Sequence, residues 1–150
     1  MGKFEFRLEA SLRLSRNKED QAKMYLGECL QELEREKDEL KKTENKKHET
    51  EETIASLDKM TVDEFQSYDR FLDFLRKKIG EQLIRIQKAE EKVLEARLDL
   101  AQSIKERKIL ENLKERQKLE HAYEEEKKAQ SELDQIATNI YTSSIQGSQE

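Results

Sequence analysis

The side chains able to act as nucleophiles, metal ligands or near-neutral proton carriers are few and scattered: one cysteine, Cys29, and two histidines, His48 and His121. A cysteine-based zinc site needs several thiolates at short spacing, and neither histidine has a second histidine or a cysteine at ligand spacing. Cys29 has no partner for an internal disulfide and is expected to pack as a small core hydrophobe, while both histidines are expected to be solvated. Gly2, Gly27, Gly80 and Gly147 lie far apart, so no glycine-rich loop can wrap a phosphate. No catalytic, cofactor-binding or metal-binding residues are therefore expected, and no cofactor. Basic stretches such as Lys105-Glu106-Arg107-Lys108 are interrupted by acids in a chain of net charge −5. That pattern fits a solvated helix face and argues against nucleic-acid binding.

With chemistry set aside, the elements themselves become informative. Of 150 residues, 42% are charged and 34% hydrophobic, and proline and tryptophan are absent. Such a composition suits long helices better than a compact globule with an ordinary core. No apolar run approaches the ~20 residues that cross a bilayer, and the start lacks the apolar stretch of a signal peptide, which points to a cytoplasmic protein without a transmembrane segment.

In the first half, Ala22, Leu26, Cys29, Leu33, Leu40, Ile54 and Leu57 fall on alternating steps of four and three once the intervening positions are filled, the signature of a heptad stripe. Glu36, Thr43, Lys47 and Thr50 stand where apolar residues belong, so this stretch is expected to be the weakest part of the seam. The second half repeats Phe65, Leu72, Ile79, Ile86, Val93 and Leu100 at intervals of seven, joined by Tyr68, Leu75, Ala89 and Ala96. After Ile104 the strict register is lost: Ile109, Leu110, Leu113, Leu119, Tyr123, Leu133, Ile136 and Ile140 continue a helical pattern with an offset, read as a local change in supercoiling.

Between the halves, Thr61 can cap the amide of Glu64 while the Glu64 carboxylate reaches back, with Met60 and Phe65 placed for an apolar staple. Asp63 and Glu64 also set negative charge on the positive end of the helix dipole. A turn is therefore expected at about 57–61, between a first helix over about 3–57 and a second over about 62–141, with a frayed tail over 142–150. So short a connection makes the helices antiparallel neighbours. The expected fold is all-α, a single domain formed by a long antiparallel two-helix coiled-coil hairpin. Pairing about the turn sets Ile54 near Phe65, Leu33 near Ile86 and the Phe4 region near residue 115. At ~1.5 Å per residue the helices would measure about 80 and 120 Å, so the second overhangs the first. Its apolar residues, Leu119, Tyr123, Leu133, Ile136 and Ile140, should then meet a partner.

Charge is also unevenly spread. Residues 1–18 hold five bases and two acids, residues 105–118 six bases and three acids, and residues 119–150 two bases and seven acids. A basic collar beside an acidic overhang would suit docking into a charged socket, although ordinary scatter of charge accounts for it as well. A third feature is the cluster Phe65, Tyr68, Phe71, Leu72, Phe74 and Leu75. Phe71 flanks the seam and Phe74 points away from it, so seam packing does not explain them. Either they form a partner-binding patch near the turn, or the chain bends back near Gly80 into a small local bundle.

The opening KFEFRLEASLRLSR, Lys3 to Arg16, resembles the start of the FliJ family of the bacterial flagellar export apparatus, in its Phe4, Phe6, Arg7, Leu8, Glu9, Leu12 and Arg16. The segment Phe65-Gln66-Ser67-Tyr68-Asp69-Arg70-Phe71-Leu72, continuing to Ile79, is similar too. The resemblance implies a non-enzymatic cytoplasmic stalk, seated in the central hole of the hexameric flagellar export ATPase. It also implies contact with the cytoplasmic domain of the export gate and with export chaperones, and peripheral association with the cytoplasmic face of the membrane through that apparatus. On this reading the paired end, Phe4 to Leu14 with its Phe6 and Leu8, and the second helix from about Lys105 onward with its Tyr123 and Leu133, would enter the ring, while Tyr68, Phe71 and Phe74 would meet the gate or a chaperone. The alternatives are the equivalent stalk of a virulence type III secretion system and a self-associating structural coiled coil. A prefoldin-like chaperone would need strands between its helices, for which 57–65 is too short.

Overall fold

The computed structural model describes residues 2–148. It contains two α-helices, α1 (Glu9–Ser56) and α2 (Val62–Ser148), joined through residues 57–61. They pack on each other as an antiparallel helical hairpin. Their contacts divide the chain into two compact units, each built from both helices: a tip unit of residues 18–103, and an end unit of residues up to 17 together with those from 104 onward.

In the tip unit, the inward positions of α1 are Ala22, Leu26, Cys29, Leu33, Glu36, Leu40, Thr43, Lys47, Thr50 and Ile54, all buried or half-buried. Those of α2 are Tyr68, Leu72, Leu75, Ile79, Gln82, Ile86, Ala89, Val93, Ala96 and Leu100. Both series alternate steps of three and four, the 3.5-residue repeat that keeps one stripe facing a partner helix. Cys29 packs with Val93 and Ala96, flanked by Leu26 and Leu33. The polar positions lie nearer the turn. Thr43 and Thr50 are buried, their hydroxyls donating to the carbonyls of Glu39 at 3.1 Å and Lys46 at 2.8 Å.

The start of α2 is a capping box: the Glu64 amide donates to Thr61 Oγ1 at 3.2 Å and the Thr61 amide to Glu64 Oε2 at 3.4 Å. Phe65, the expected staple partner of Met60 and the expected first seam residue, is instead 55% exposed, and Leu57 is 42% exposed. Residues 62–67 are all exposed, and Tyr68 is the first inward position of α2. Because this opening turn does not pack, the register moves about one helical turn from the expected pairing. Lys92 Nζ accordingly meets Glu32 at 3.8 Å, and Gln82 meets Glu39. The helix passes through Gly80 without interruption, so the alternative of a chain bending back there is ruled out.

The end unit departs further from expectation. α1 begins at Glu9, not at residue 3: residues 3–6 are irregular and 7–8 form a turn, closed by the Glu9 amide donating to the Phe6 carbonyl at 3.1 Å. Irregular backbone spans up to ~3.3 Å per residue against ~1.5 Å in a helix. Glu9 already meets Lys114, about a turn beyond the expected pairing, and the segment reaches a little further along α2 than a helix would, so Phe4 lies against His121, not near residue 115. The inward register of α2 is not lost after Ile104. It continues in steps of three and four through Arg107, Leu110, Lys114, Gln117 and His121, all half-buried, while Ile109 and Leu119 face solvent. Polar side chains hold the seam here; the long stems of Arg107 and Lys114 supply apolar packing while their charged ends reach out. Every residue from Glu126 to Ser148 is exposed, and α2 remains helical to Ser148, where fraying from 142 was expected. Gln149 and Glu150 of that expected tail lie outside the described residues.

Candidate partner-binding surfaces

In the tip unit, the aromatic cluster sits just after the capped start of α2. Tyr68 is half-buried at the seam, Phe71 is 36% and Phe74 58% exposed, and the two phenyl rings lie 6.5 Å apart and nearly parallel, 22° between planes. A shallow groove runs between Asp63, Glu64, Ser67, Tyr68 and Phe71. Helical spacing brings Tyr68 and Phe71 to one side of α2, so an apolar strip rimmed by the acids of the first turn faces solvent. An apolar strip within a polar rim is an arrangement that protein interfaces share.

In the end unit, the irregular opening segment is laid on α2. Phe6 is 7% exposed and Leu12 fully buried. The Phe4 ring lies 5.6 Å from the His121 imidazole, whose Nε2 is 3.0 Å from the Gly2 carbonyl. Glu9 receives Lys114 Nζ at 2.8 Å. Glu111 receives Arg107 at 2.7 Å and Arg16 at 3.5 Å, bracing both helices. The hydrogen bond from Lys114 holds the Glu9 carboxyl below its ordinary value of 4.5; desolvation opposes it, and the charges of Lys114, Arg16 and Arg13 add to the lowering. Two grooves along residues 123–134 are dents between neighbouring side chains of α2 alone, and a third is shared with Gly2.

The proposed partner residues of the end unit therefore fall into three environments. Phe4 and Phe6 are brought together on α2 but are largely covered. Leu8, which a continuous helix would place on one face with Phe4 and Leu12, is 36% exposed, because the backbone before Glu9 is irregular and breaks the helical count. Tyr123 and Leu133 are 66% and 61% exposed on α2, with Ile136, Ile140 and Tyr141 similarly open. Sequence reasoning passed over Lys114, Gln117 and His121, and assigned His121 to solvent. The signal that finds them is positional, since the steps of three and four simply continue from Leu100 regardless of polarity.

The family model of the flagellar FliJ protein matches residues 4–145. The chain belongs to the FliJ family. Among solved structures, it is similar to one described as a YscO homologue from Chlamydia trachomatis, with a TM-score of 0.75 at 20% identity, covering 93% of this chain and 96% of that one. At that identity the likeness concerns the fold. No curated protein sequence matches the chain closely enough to count as a relative. As a FliJ-family protein it has no helix, among the described residues, long and apolar enough to cross a membrane.

Proposed function

We propose that this protein is a non-enzymatic stalk of the flagellar export apparatus, working in the cytoplasm at the membrane's inner face. Its end unit engages the hexameric export ATPase, and the Tyr68, Phe71 and Phe74 patch engages the export gate or a chaperone. The observation that carries the reading is the family match over 4–145. It is supported by a helical segment, Glu126 to Ser148, with apolar residues and no covering element among the described residues. A ring lumen is a surface that could cover such a helix on several sides at once.

The test is purified protein added to its cognate export ATPase at low salt. Binding and a rise in ATPase assembly or turnover are expected. Absence of both overturns the reading. Leu133→Ser with Ile136→Ser and Ile140→Ser should weaken binding at least tenfold while leaving the helix content unchanged by circular dichroism. The fold shared with the YscO homologue favours one second reading, the equivalent stalk of a virulence secretion system. Preference for an ATPase of that system over the flagellar one would select it.

A further inference from the structure

Within the tip unit, the two ends of the seam are built differently. Away from the turn it is apolar, with Cys29, Val93 and Ala96 packed together and Lys92 bridged across to Glu32. Toward the turn α2 still presents Leu72, Leu75 and Ile79, but on α1 the inward positions between Leu40 and Ile54 are Thr43, Lys47 and Thr50. The Thr43 and Thr50 hydroxyls are satisfied by their own helix, so they contribute nothing to holding α2. Among the described residues, the ion pairs of this section likewise run along one helix: Lys42 with Glu39, Lys47 with Glu51, His48 with Glu52, and Arg76 with Asp73. At the boundary between the two sections stands Gln82, 3% exposed. Its Nε2 donates to the Glu39 carbonyl at 3.4 Å, while its Oε1 is buried without a partner. An unpartnered buried carbonyl is relieved as soon as water enters.

We propose that the section of the hairpin between Gln82 and the turn opens as a unit, α1 from Leu40 to Ser56 parting from α2 while the Cys29, Val93 and Ala96 core stays closed. The part of α1 released, Leu40 to Ser56, loses the tertiary packing that supplies most of a helix's stability in a protein, so opening also loosens its backbone. On α2 it uncovers Leu72, Leu75 and Ile79 beside the already exposed Phe71, enlarging the apolar strip at the tip. Burial alone does not foretell this, because Thr50 and Cys29 are almost equally enclosed, at 7% and 4% exposure.

That near-equality supplies the test. In full-length protein carrying Thr50→Cys, both thiols are labelled with a maleimide and quantified by peptide mass spectrometry, Cys29 serving as internal comparator. The thiol at 50 should react at least tenfold faster than Cys29. Hydrogen exchange of the unsubstituted protein should show amides of 43–54 exchanging at least tenfold faster than those of 26–33. Repairing the seam with Thr43→Leu, Thr50→Leu and Gln82→Leu should erase that difference. Equal protection of the two sections in the unsubstituted protein, or a difference that survives the repair, overturns the proposal.

Discussion

Single residues carry measurable weight in three places. Leu12 is fully buried in the end unit, and Leu12→Ala should cost ~2–5 kcal/mol in urea unfolding through lost transfer and a residual cavity. Thr61 supplies half of the capping box, and Thr61→Ala should cost about 1 kcal/mol, as loss of an N-cap oxygen does. Glu9 reports on electrostatics. A carboxyl whose folded pKa lies below its unfolded value stabilises the fold above the unfolded value and loses that contribution as pH falls through the folded one. The Glu9 to Lys114 bridge should therefore persist to below pH 4.5 and then fail. An NMR titration of the Glu9 carboxyl should show this midpoint returning toward 4.5 in Lys114→Met.

At the scale of elements, α2 is a helix whose role changes along its length. Gly80 lies within it, exposed, with open space where a Cβ would stand. A glycine in a helix interior gives up roughly 0.5–1 kcal/mol relative to alanine, so Gly80→Ala should raise stability by that amount in urea unfolding. Beyond Glu125 the helix has no covering neighbour among the described residues. A chain ending at Glu132 should therefore unfold at the same urea midpoint as the full chain. Helical content was legible in the sequence because a 3.5-residue repeat and a capping box are local signals. The irregular start was not, since Phe4, Phe6, Leu8 and Leu12 satisfy helical and extended spacing alike.

For the molecule as a whole, the expected outcome is selective: substitutions on exposed apolar surface should spare stability and remove binding. Phe71→Ala with Phe74→Ala should leave the thermal midpoint nearly unchanged, as both rings are substantially exposed, while binding to the export gate's cytoplasmic domain, measured by calorimetry, falls at least tenfold. The basic excess of residues 1–18 and 105–118 should make binding to an acidic partner surface salt-sensitive, several-fold weaker at 0.3 M than at 0.05 M salt. Arg16, Arg107 and Lys114 already pair with Glu111 and Glu9, so the effect should come from the remaining bases, Arg13 and Lys118 among them. Sedimentation at tens of micromolar should show a monomer. A mass rising with concentration would favour self-association through α2 instead.

Two long helices, their antiparallel pairing and the position of the connection were legible in the amino-acid order, because composition, heptad period and capping chemistry act within a few residues of each other. That order also marked the polar stretch of α1, at Glu36, Thr43, Lys47 and Thr50. Only the tertiary structure decided which residues face which. The unpacked first turn of α2 moved the register by about a turn, the irregular start put Phe6 inside and Leu8 outside, and the seam ran on through Lys114, Gln117 and His121. A seam position is defined by the neighbouring helix and not by the polarity of the side chain that occupies it, so hydrophobicity loses the trace where the geometry continues.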